Sequence, residues 1–525
     1  MWLMGIYLNP ENTAFRKTVH SEIYVDKTNL IACTNKYLNT RDQFLCVSRP
    51  RRFGKSMTLE MLAAYYSRGC DSRELFRGYK IEHHASFEEH LNRYDVIFLN
   101  MQRFLSRAKE QKVTDYLEKM VIAEIRKEYG AFFSEEETDL AVVLEQIYVE
   151  TGRTYIFLID EWDCVMREKQ ESEAVQRQYL DFLRNLLKDQ PYVALAYMTG
   201  ILPVKKYGSH SALNMFAEYS MTDQDVFEEY TGFTEDEVRD LCERFSMDYA
   251  ETESWYDGYR LMEFKHIYNP KSVSEAMRRH RFSNYWTSTE TYEALKVYMD
   301  MDFDGLRADI VRMLGGGEVK VNTRSFQNDM RTFRTKDDVL TLLIHLGYLA
   351  YDSGKRAAFI PNKEIVEEFE NAMSVGGWQE VMRVLQASDR LLEDTLSGNA
   401  QEVAKGIDRA HTEVASILTY DDENSLACAV SLAYYSARQN YKIIREFPTG
   451  RGFADVVFLP LPASGKPAVV VELKYDKSAG CAITQIKEKQ YVQALEGYCG
   501  EILLVGVNYD RDRKEHDCVI EKMQT

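Results

Sequence analysis

The stretch SRPRRFGKS, residues 48–56, carries residue types that bind phosphate. A phosphate loop needs backbone N–H groups at the start of a helix, a lysine that reaches the terminal phosphates, and a hydroxyl for Mg²⁺. Gly54, Lys55 and Ser56 supply these features, but the usual position of the first glycine is occupied by Arg49. If the turn requires a positive φ there, a non-glycine residue costs about 1–2 kcal/mol. The stretch therefore predicts a nucleotide site with an altered loop.

Two acidic residues about a hundred positions downstream complete this predicted site. The apolar run YIFLID ends in Asp160, and Glu161 follows it. At the carboxyl edge of a parallel sheet, the first acid can hold Mg²⁺ and the second can orient the attacking water. Thr199, at the end of the run YVALAYMTG, is expected to contact the terminal phosphate. Considered separately, Asp160 and Thr199 also suit simple caps at the ends of elements.

Three arginines crowd the predicted loop, at Arg49, Arg51 and Arg52. They can compensate phosphate charge, or one can act as a finger toward a neighbouring subunit of a homo-oligomer. The other interpretation is a solvated basic turn. The sequence leaves both open.

A second set of charged residues lies near the C-terminus, in FADVVFLP and AVVVELKYD. Side chains alternate across a strand, so Glu472 and Lys474 share one face. A hairpin symmetric about residues 463 and 464 places Asp455 opposite Glu472. Two adjacent buried carboxylates repel unless a cation joins them, and Mg²⁺ suits such a pair. The alternative is an exposed hairpin face with an ordinary charge pair.

A helical pattern, ITQIKEKQY, follows these strands. Gln485 and Lys489 are four residues apart, so they lie on one helix face. This face can approach the phosphate backbone of a nucleic acid. An earlier predicted helix contains Glu423.

The first site requires a sheet, which the pattern between about residues 44 and 204 predicts. Short apolar runs there (QFLCVS, YDVIFLN, TYIFLID and YVALAYMTG) alternate with longer helical patterns. Buried strands separated by helices are typical of a parallel sheet covered on both faces. The central region is mostly helical, and DDVLTLLIHLGYL followed by a Ser-Gly turn predicts a helix and a hairpin. This pair fits a winged helix or a helix with a capping hairpin.

Composition limits the class of protein. A chain of 525 residues is long enough for about three domains, and 45% hydrophobic residues indicate a globular protein. The formal net charge of −18 means that a nucleic acid would have to meet a local basic surface. The nine cysteines form no CxxC pair, and no segment resembles a secretory signal or a membrane span. We therefore expect a cytoplasmic protein with no membrane contact.

The chain resembles the prokaryotic AAA-ATPase-like proteins that carry a C-terminal PD-(D/E)xK nuclease-superfamily domain. The resemblance rests on YVDKTNLI, SRPRRFGKS, LIDEWD, YMTGILPVKKYG, YNPKSV, VNTRSFQNDM, RGFADVVF, VELKYDKSA and QIKEKQY. It implies ATP and Mg²⁺ as cofactors, a phosphate loop that lacks its first glycine as a family trait, and Asp160 and Glu161 as the Walker B pair. For the nuclease-like part it implies a motif of Asp455, Glu472 and Lys474, with Glu423 as the acid of the first helix and Gln485 as the residue of the following helix.

The predicted fold class is α/β with three domains. An AAA-like P-loop NTPase domain spans 1–215, a helical region that is a candidate winged helix spans 216–415, and a PD-(D/E)xK nuclease-like α/β domain spans 416–525. The first hypothesis is an ATPase that controls Mg²⁺-dependent cleavage of nucleic acid, with DNA the expected substrate. The second is a STAND-like regulatory ATP switch whose C-terminal domain binds a partner without cutting it. The third is a small-molecule phosphotransferase, which leaves the C-terminal charges unexplained.

Overall fold

In the computed structural model, the described chain runs from Gly5 to Gln524 with short gaps. Outside the described part lie residues 1–4, 110, 170–171, 205–212, 224–225, 262–265, 287–291, 302, 328–329, 331, 415–416, 418–422, 450–451, 462–463, 490, 492–494, 496–500 and 525.

The elements follow one another in three groups along the chain. The first group contains α1 (Thr13–Val19), α2 (Asn29–Asn35), β1 (Phe44–Ser48), α3 (Lys55–Tyr66), α4 (Phe87–His90), β2 (Asp95–Asn100), α5 (Met101–Ala108), α6 (Val113–Tyr129), α7 (Leu140–Thr151), β3 (Tyr155–Asp160), α8 (Cys164–Glu168), α9 (Glu173–Leu187), β4 (Val193–Gly200) and β5 (Ala217–Tyr219). The second group contains β6 (Phe233–Thr234), α10 (Glu235–Phe245), α11 (Tyr249–Tyr256), β7 (Ile267–Tyr268), α12 (Pro270–Arg279), α13 (Tyr292–Met299), α14 (Leu306–Leu314), β8 (Val319–Lys320), α15 (Lys336–Leu346), β9 (Ala350–Asp352), β10 (Ala357–Phe359), α16 (Lys363–Ser374), α17 (Gln379–Ser397) and α18 (Ala400–Val414). The third contains α19 (Glu423–Ala433), β11 (Tyr441–Thr449), β12 (Gly452–Pro460), β13 (Ala468–Tyr475), α20 (Ala479–Glu488), β14 (Glu501–Asp510) and β15 (Glu515–Gln524).

The first group forms a parallel five-stranded sheet in the order β2-β3-β4-β1-β5. Every residue of β1, β3 and β4 is buried. Because successive side chains point to opposite faces of a strand, both faces of these strands are covered. On one face, Leu45 and Val47 pack in a common core with Leu59 and Leu62 of α3. The predicted parallel sheet is confirmed, and β5 at its edge is an additional strand that the sequence patterns did not predict.

The central region is mostly helical, as predicted, and α15 is followed by the strands β9 and β10, which are neighbours in one sheet. The chain divides into two compact units. The first comprises residues 1–252, 256–281 and 321–358, and the second comprises 253–255, 282–320 and 359–525. The central region contributes to both units, so the three-domain boundaries stay a prediction.

The third group forms a mixed five-stranded sheet in the order β11-β12-β13-β14-β15. The pairing of β13 with β14 is parallel and the other pairings are antiparallel. Helix α20 connects the two parallel strands, and its Ile483 and Ile486 pack in one core with Val470 and Leu504 of the sheet. The predicted C-terminal α/β unit is confirmed, and β15 was not predicted.

Two further expectations concern the surroundings of the protein. Every cysteine in the described residues is a free thiol, as the scattered spacing of the cysteines predicts. Among the helices of the described residues, none has the length and apolar character that crossing a membrane requires.

Candidate functional site

The predicted phosphate loop connects the end of β1 to the start of α3. Its left-handed residues are Arg52, with φ of 69°, and Gly54, with φ of 86°. Arg49 is not among the residues with positive φ, so the cost considered for a missing glycine does not arise at this position. Open space surrounds the position of a Cβ at Gly54, which means that the backbone conformation and not crowding favours glycine there.

The side chain of Lys55 is folded back onto the loop. Its Nζ donates hydrogen bonds to the carbonyl oxygens of Arg49, at 2.9 Å, and Pro50, at 2.7 Å. Burial lowers the pKa of Lys55 to about 8, although the nearby Asp160 acts in the opposite direction. The loop carbonyl oxygens therefore accept the hydrogen bonds that Lys55 is predicted to donate to a phosphate.

Asp160, the last residue of β3, is the centre of a polar cluster at the carboxyl edge of the sheet. Its Oδ2 accepts hydrogen bonds from Ser56 Oγ at 2.7 Å and from Asn100 Nδ2 at 3.3 Å. Its Oδ1 accepts from Thr199 Oγ1 at 2.8 Å and from the backbone N of Glu161 at 3.0 Å. Three neighbouring strands and α3 thus bring together hydroxyl and carboxylate oxygens, which Mg²⁺ prefers, and the amide group of Asn100 donates to the carboxylate.

Arg49 does not lie on a solvated turn. Its side chain is 1% exposed, and its Nη1 donates to the carbonyl oxygens of Ser48 at 3.0 Å and Tyr219 at 2.9 Å. Burial lowers the pKa of the guanidinium group to about 10. Arg49 therefore bridges β1 and β5, whereas Arg51 is exposed and Arg52 is half-buried. A role of the three arginines in nucleotide binding stays a prediction.

The buried position of Arg49 predicts a structural role. We expect Arg49→Ala to lower the free energy of unfolding by about 2–4 kcal/mol, because it leaves a cavity and two unpaired carbonyl groups. Arg49→Met should lower it by less, since methionine refills the space. Urea denaturation measures both values. The exposed Arg177, which pairs only with Glu173 on the surface of α9 in the described residues, is the matched control. An Arg49→Ala variant as stable as Arg177→Ala would contradict a bracing role.

The second predicted site lies on β12 and β13. Val456 pairs with Val471, so the same register sets Asp455 opposite Glu472, as the hairpin prediction required. Asp455 Oδ2 accepts a hydrogen bond from the backbone N of Leu473 at 2.7 Å. Glu472 is 1% exposed, which excludes the alternative of an exposed hairpin face.

Lys474 and Gln485 both contact the Glu472 carboxylate. Lys474 Nζ donates to Glu472 Oε1 at 2.9 Å, and Gln485 Nε2 of α20 donates to the same oxygen. Gln485 also donates to the hydroxyl of Tyr491, at 3.2 Å, and that hydroxyl donates to the backbone carbonyl of Phe453. The helix residue therefore fixes the orientation of the carboxylate relative to the start of β12.

Two other residues were predicted to belong to this site. Glu423 is the first residue of α19, and its side chain lies outside the described part of the structure. Lys489 directly follows α20, and its Nζ lies 5.9 Å from the centre of the Tyr491 ring. Its predicted contact with a phosphate backbone stays a prediction.

The second carboxylate oxygen of Glu472 tests whether these residues suit a cation. Oε2 is buried and accepts no hydrogen bond from any described residue. Burial raises the pKa of Glu472, and the neighbouring charge of Asp455 adds to this rise. Since an unpaired buried carboxylate oxygen is costly, a bound cation would compensate it. The residues present therefore fit a divalent metal ion held by Asp455 and Glu472.

Comparison with known families assigns both regions. Residues 13–209 match the family model "Predicted AAA-ATPase", and residues 421–517 match the model "PD-(D/E)XK nuclease superfamily". The chain combines an AAA-ATPase-like domain with a PD-(D/E)XK nuclease-superfamily domain. The phosphate loop and Asp160 lie within the first match, and Asp455, Glu472, Lys474 and Gln485 lie within the second.

Individual relatives are more distant. The chain is 23% identical over 522 residues to an Azotobacter chroococcum protein described as "Uncharacterized protein in vnfD 5'region", covering 94% of this chain and 93% of that protein. Among solved structures, the Walker-type ATPase PABY2304 of Pyrococcus abyssi is 12% identical, with 66% of this chain and 94% of that chain covered and a TM-score of 0.34. The Aeropyrum pernix ORC2 protein is 10% identical, with 70% of this chain and 99% of that chain covered and a TM-score of 0.26.

The AAA-ATPase-like domain also contains site residues that sequence reasoning missed. Asn100 ends β2 as Asp160 ends β3, so the rule that selected Asp160 also applied to the run YDVIFLN. Arg167, whose Nη2 lies 3.0 Å from Glu161 Oε2, follows no strand end and could not be found in this way. The pairing of Arg167 with Glu161 depends on how α8 packs.

The lowered pKa of Lys55 predicts how nucleotide binding depends on pH. Lys55 is the predicted ligand of the phosphates in its charged form, and burial lowers its pKa to about 8, so this charge should be lost as the pH rises through that value in the nucleotide-free domain. ATP affinity should therefore fall above pH 8, approaching about tenfold per pH unit at higher pH. Titration with a fluorescent ATP analogue between pH 7 and 9.5 measures this dependence. Lys55→Arg should remove it, because arginine stays charged. A flat wild-type profile would show that Lys55 does not titrate in this range.

Proposed function

We propose that this protein hydrolyses ATP in its AAA-ATPase-like domain and that the nucleotide state controls cleavage of nucleic acid by its PD-(D/E)XK domain. DNA is the expected substrate. The main support is the buried cluster of Glu472, Lys474 and Gln485 with Asp455 opposite in register. A buried carboxylate with one unpaired oxygen is an expensive arrangement for a domain that only binds a partner. Free thiols throughout the described residues support a reducing compartment, and we place the activity in the cytoplasm.

In the proposed ATPase reaction, Lys55 leaves the carbonyl oxygens of Arg49 and Pro50 and donates to the terminal phosphates of ATP. Ser56 and Asp160 would hold the Mg²⁺ that accompanies the nucleotide. Glu161 accepts the proton of the attacking water, and Thr199 contacts the terminal phosphate through its hydroxyl group. Arg51 and Arg52 add positive charge near the loop, and one of them would suit a neighbouring subunit if the protein is a homo-oligomer.

In the proposed nuclease reaction, Asp455 and Glu472 would hold Mg²⁺, and Glu423 at the start of α19 is a further candidate ligand. When bound, Mg²⁺ supplies positive charge that stabilises the scissile phosphate and favours ionisation of water. Gln485 orients the Glu472 carboxylate through their shared hydrogen bond. Lys474 holds an ammonium group beside that carboxylate, where it can stabilise negative charge that develops on the phosphate.

A regulatory ATP switch is the second candidate. The formal net charge of −18 favours it, because dedicated nucleic-acid-binding proteins are usually basic. In this case, the C-terminal domain would bind a protein partner, and the carboxylates would have a structural role.

Cleavage assays separate the two candidates. The full-length protein is incubated with labelled single-stranded DNA, double-stranded DNA or RNA, with Mg²⁺ or Mn²⁺, and with or without ATP. The proposal expects metal-dependent cleavage of at least one nucleic acid and a change in rate when ATP is added. ATP turnover without cleavage of any of these substrates would favour the regulatory switch, and absence of both activities would refute the proposal.

A further inference from the structure

The most informative group outside the predicted motifs is Arg167 of α8. Its side chain is 9% exposed and contacts two acids. Nη2 lies 3.0 Å from Glu161 Oε2, and Nε lies 3.0 Å from Asp163 Oδ2. The side chain of Asp163 is fully buried, so it anchors the guanidinium group in one position. A guanidinium group that bonds to two acids and is largely buried is more rigid than one in a surface ion pair.

Asp163 connects this pair to the end of β4. Its Oδ2 also accepts hydrogen bonds from the backbone N of Ile201, at 3.2 Å, and of Leu202, at 3.0 Å. These residues directly follow Thr199 and Gly200, and a Cβ added to Gly200 would lie 2.7 Å from Asp163 Oδ1. The segment that carries Thr199 therefore packs directly against the anchor of Arg167.

Glu161 has a constrained backbone that matches this arrangement. Its φ of 51° is left-handed, which is uncommon for a residue with a long side chain. Arg167 engages Oε2, and no described residue donates a hydrogen bond to Oε1. The Glu161 side chain is 36% exposed, so water can reach part of it. One carboxylate oxygen is thus fixed and the other is free to receive a proton from water.

We propose that Arg167 is a positioning residue for ATP hydrolysis, which fixes the Glu161 carboxylate by binding Oε2 and directs Oε1 toward the attacking water. This inference rests on the proposed ATPase function. In this role, Arg167 acts through Glu161 and not through the nucleotide. Its removal therefore affects the chemical step more than it affects ATP binding.

The test compares wild type, Arg167→Ala and Arg167→Lys in steady-state ATP turnover and in direct binding of a fluorescent ATP analogue. We expect Arg167→Ala to lower kcat about 10- to 100-fold while the Kd for ATP changes less than about threefold. Arg167→Lys should recover part of kcat, since an ammonium group can reach one carboxylate. Arg177→Ala, which removes an exposed pair on α9, should leave both quantities unchanged.

A double-mutant cycle with Glu161→Gln distinguishes positioning from a general effect on folding. If Arg167 acts through Glu161, then Arg167→Ala should add almost nothing to the loss caused by Glu161→Gln alone. Independent, multiplicative losses would overturn the proposal, as would a wild-type kcat in Arg167→Ala. If Arg167→Ala does not fold, Arg167→Lys decides: either a wild-type kcat in that variant or a loss that multiplies with the loss in Glu161→Gln overturns the inference. Absence of ATP turnover in the wild-type protein would instead refute the proposed function itself.

Discussion

The Lys55→Met variant is expected to lose ATP binding by at least about 100-fold and to show no ATP turnover. Methionine keeps much of the buried volume of Lys55 but removes the ammonium group that is the predicted partner of the terminal phosphates. The effect is large because the ammonium group lies in a site of low solvent exposure, where an interaction with phosphate is weakly screened. Binding is measured by titration with a fluorescent ATP analogue, and turnover by phosphate release.

The fold should survive this substitution. Burial lowers the pKa of Lys55, so the cost of burying its charge offsets the two hydrogen bonds that it donates to loop carbonyl oxygens, and methionine leaves no large cavity. Thermal unfolding of the variant should therefore stay close to that of wild type in the absence of nucleotide, while stabilisation by ATP is lost. Lys119→Ala, on the exposed face of α6, is the control. Retained ATP binding in Lys55→Met would place the nucleotide elsewhere.

The Glu472→Gln variant is expected to reduce nucleic-acid cleavage by about 1,000-fold or more. The substitution preserves the shape of the side chain and removes the charge that would hold the metal ion. It also changes the partner of the Lys474 ammonium, which bonds to Glu472 Oε1 at 2.9 Å. Both losses affect the same step, so they should not be additive with Lys474→Ala. Cleavage is measured with a labelled substrate in excess Mg²⁺.

Metal binding gives an independent measurement for the same variant. Mg²⁺ or Mn²⁺ should raise the unfolding temperature of the wild-type PD-(D/E)XK domain within the full chain, and this shift should disappear in Glu472→Gln. Glu488→Gln, which changes an exposed acid at the end of α20, should behave as wild type in both assays. Normal cleavage by Glu472→Gln would show that the buried carboxylate is structural.

The sequence predicted the elements that bury continuous apolar runs. Strands β1, β3 and β4 are buried along their whole length, so their runs stand out from the helical patterns between them. The register of β12 and β13 was predictable for a different reason. Two prolines bracket the turn between these strands and indicate its centre. Strand β15 was missed because only the pairing with β14 reveals it. The sequence of β15 mixes polar and apolar residues and does not by itself indicate a strand, so the strand depends on its pairing with β14.

The candidate sites were predictable where a residue type and an element end coincide. Asp160 and Thr199 lie near strand ends that share one sheet edge, and the structure joins them by a hydrogen bond. The direction of a long side chain was not predictable in the same way. Arg49 lies in the phosphate loop by sequence, yet its guanidinium reaches the carbonyl of Tyr219, 170 residues away, on an edge strand. Such a contact depends on tertiary packing, and so does the choice of Arg167 by Glu161.

In the phosphate loop, the arginine at position 49 did not indicate which residues adopt the left-handed backbone conformation. In the usual spacing of a phosphate loop, Arg49 stands where the first glycine is expected. The left-handed backbone conformation, however, occurs at Arg52 and Gly54. The arginine at position 49 therefore requires no special backbone conformation. Its side chain is instead buried in the interior of the first unit. Burial, together with the positive charge of Arg49, lowers the pKa of the buried His345 of α15 to about 3.

One experiment tests the central proposal of two linked sites most directly. Cleavage of labelled DNA and hydrolysis of ATP are measured in the same reactions for wild type, Lys55→Met and Glu472→Gln, with Mg²⁺ and with or without ATP. The proposal predicts that Glu472→Gln hydrolyses ATP without cutting DNA, whereas Lys55→Met loses ATP hydrolysis and the ATP-dependent part of cleavage. Cleavage by Glu472→Gln at the wild-type rate, or equal responses of Lys55→Met and wild type to ATP, would contradict it.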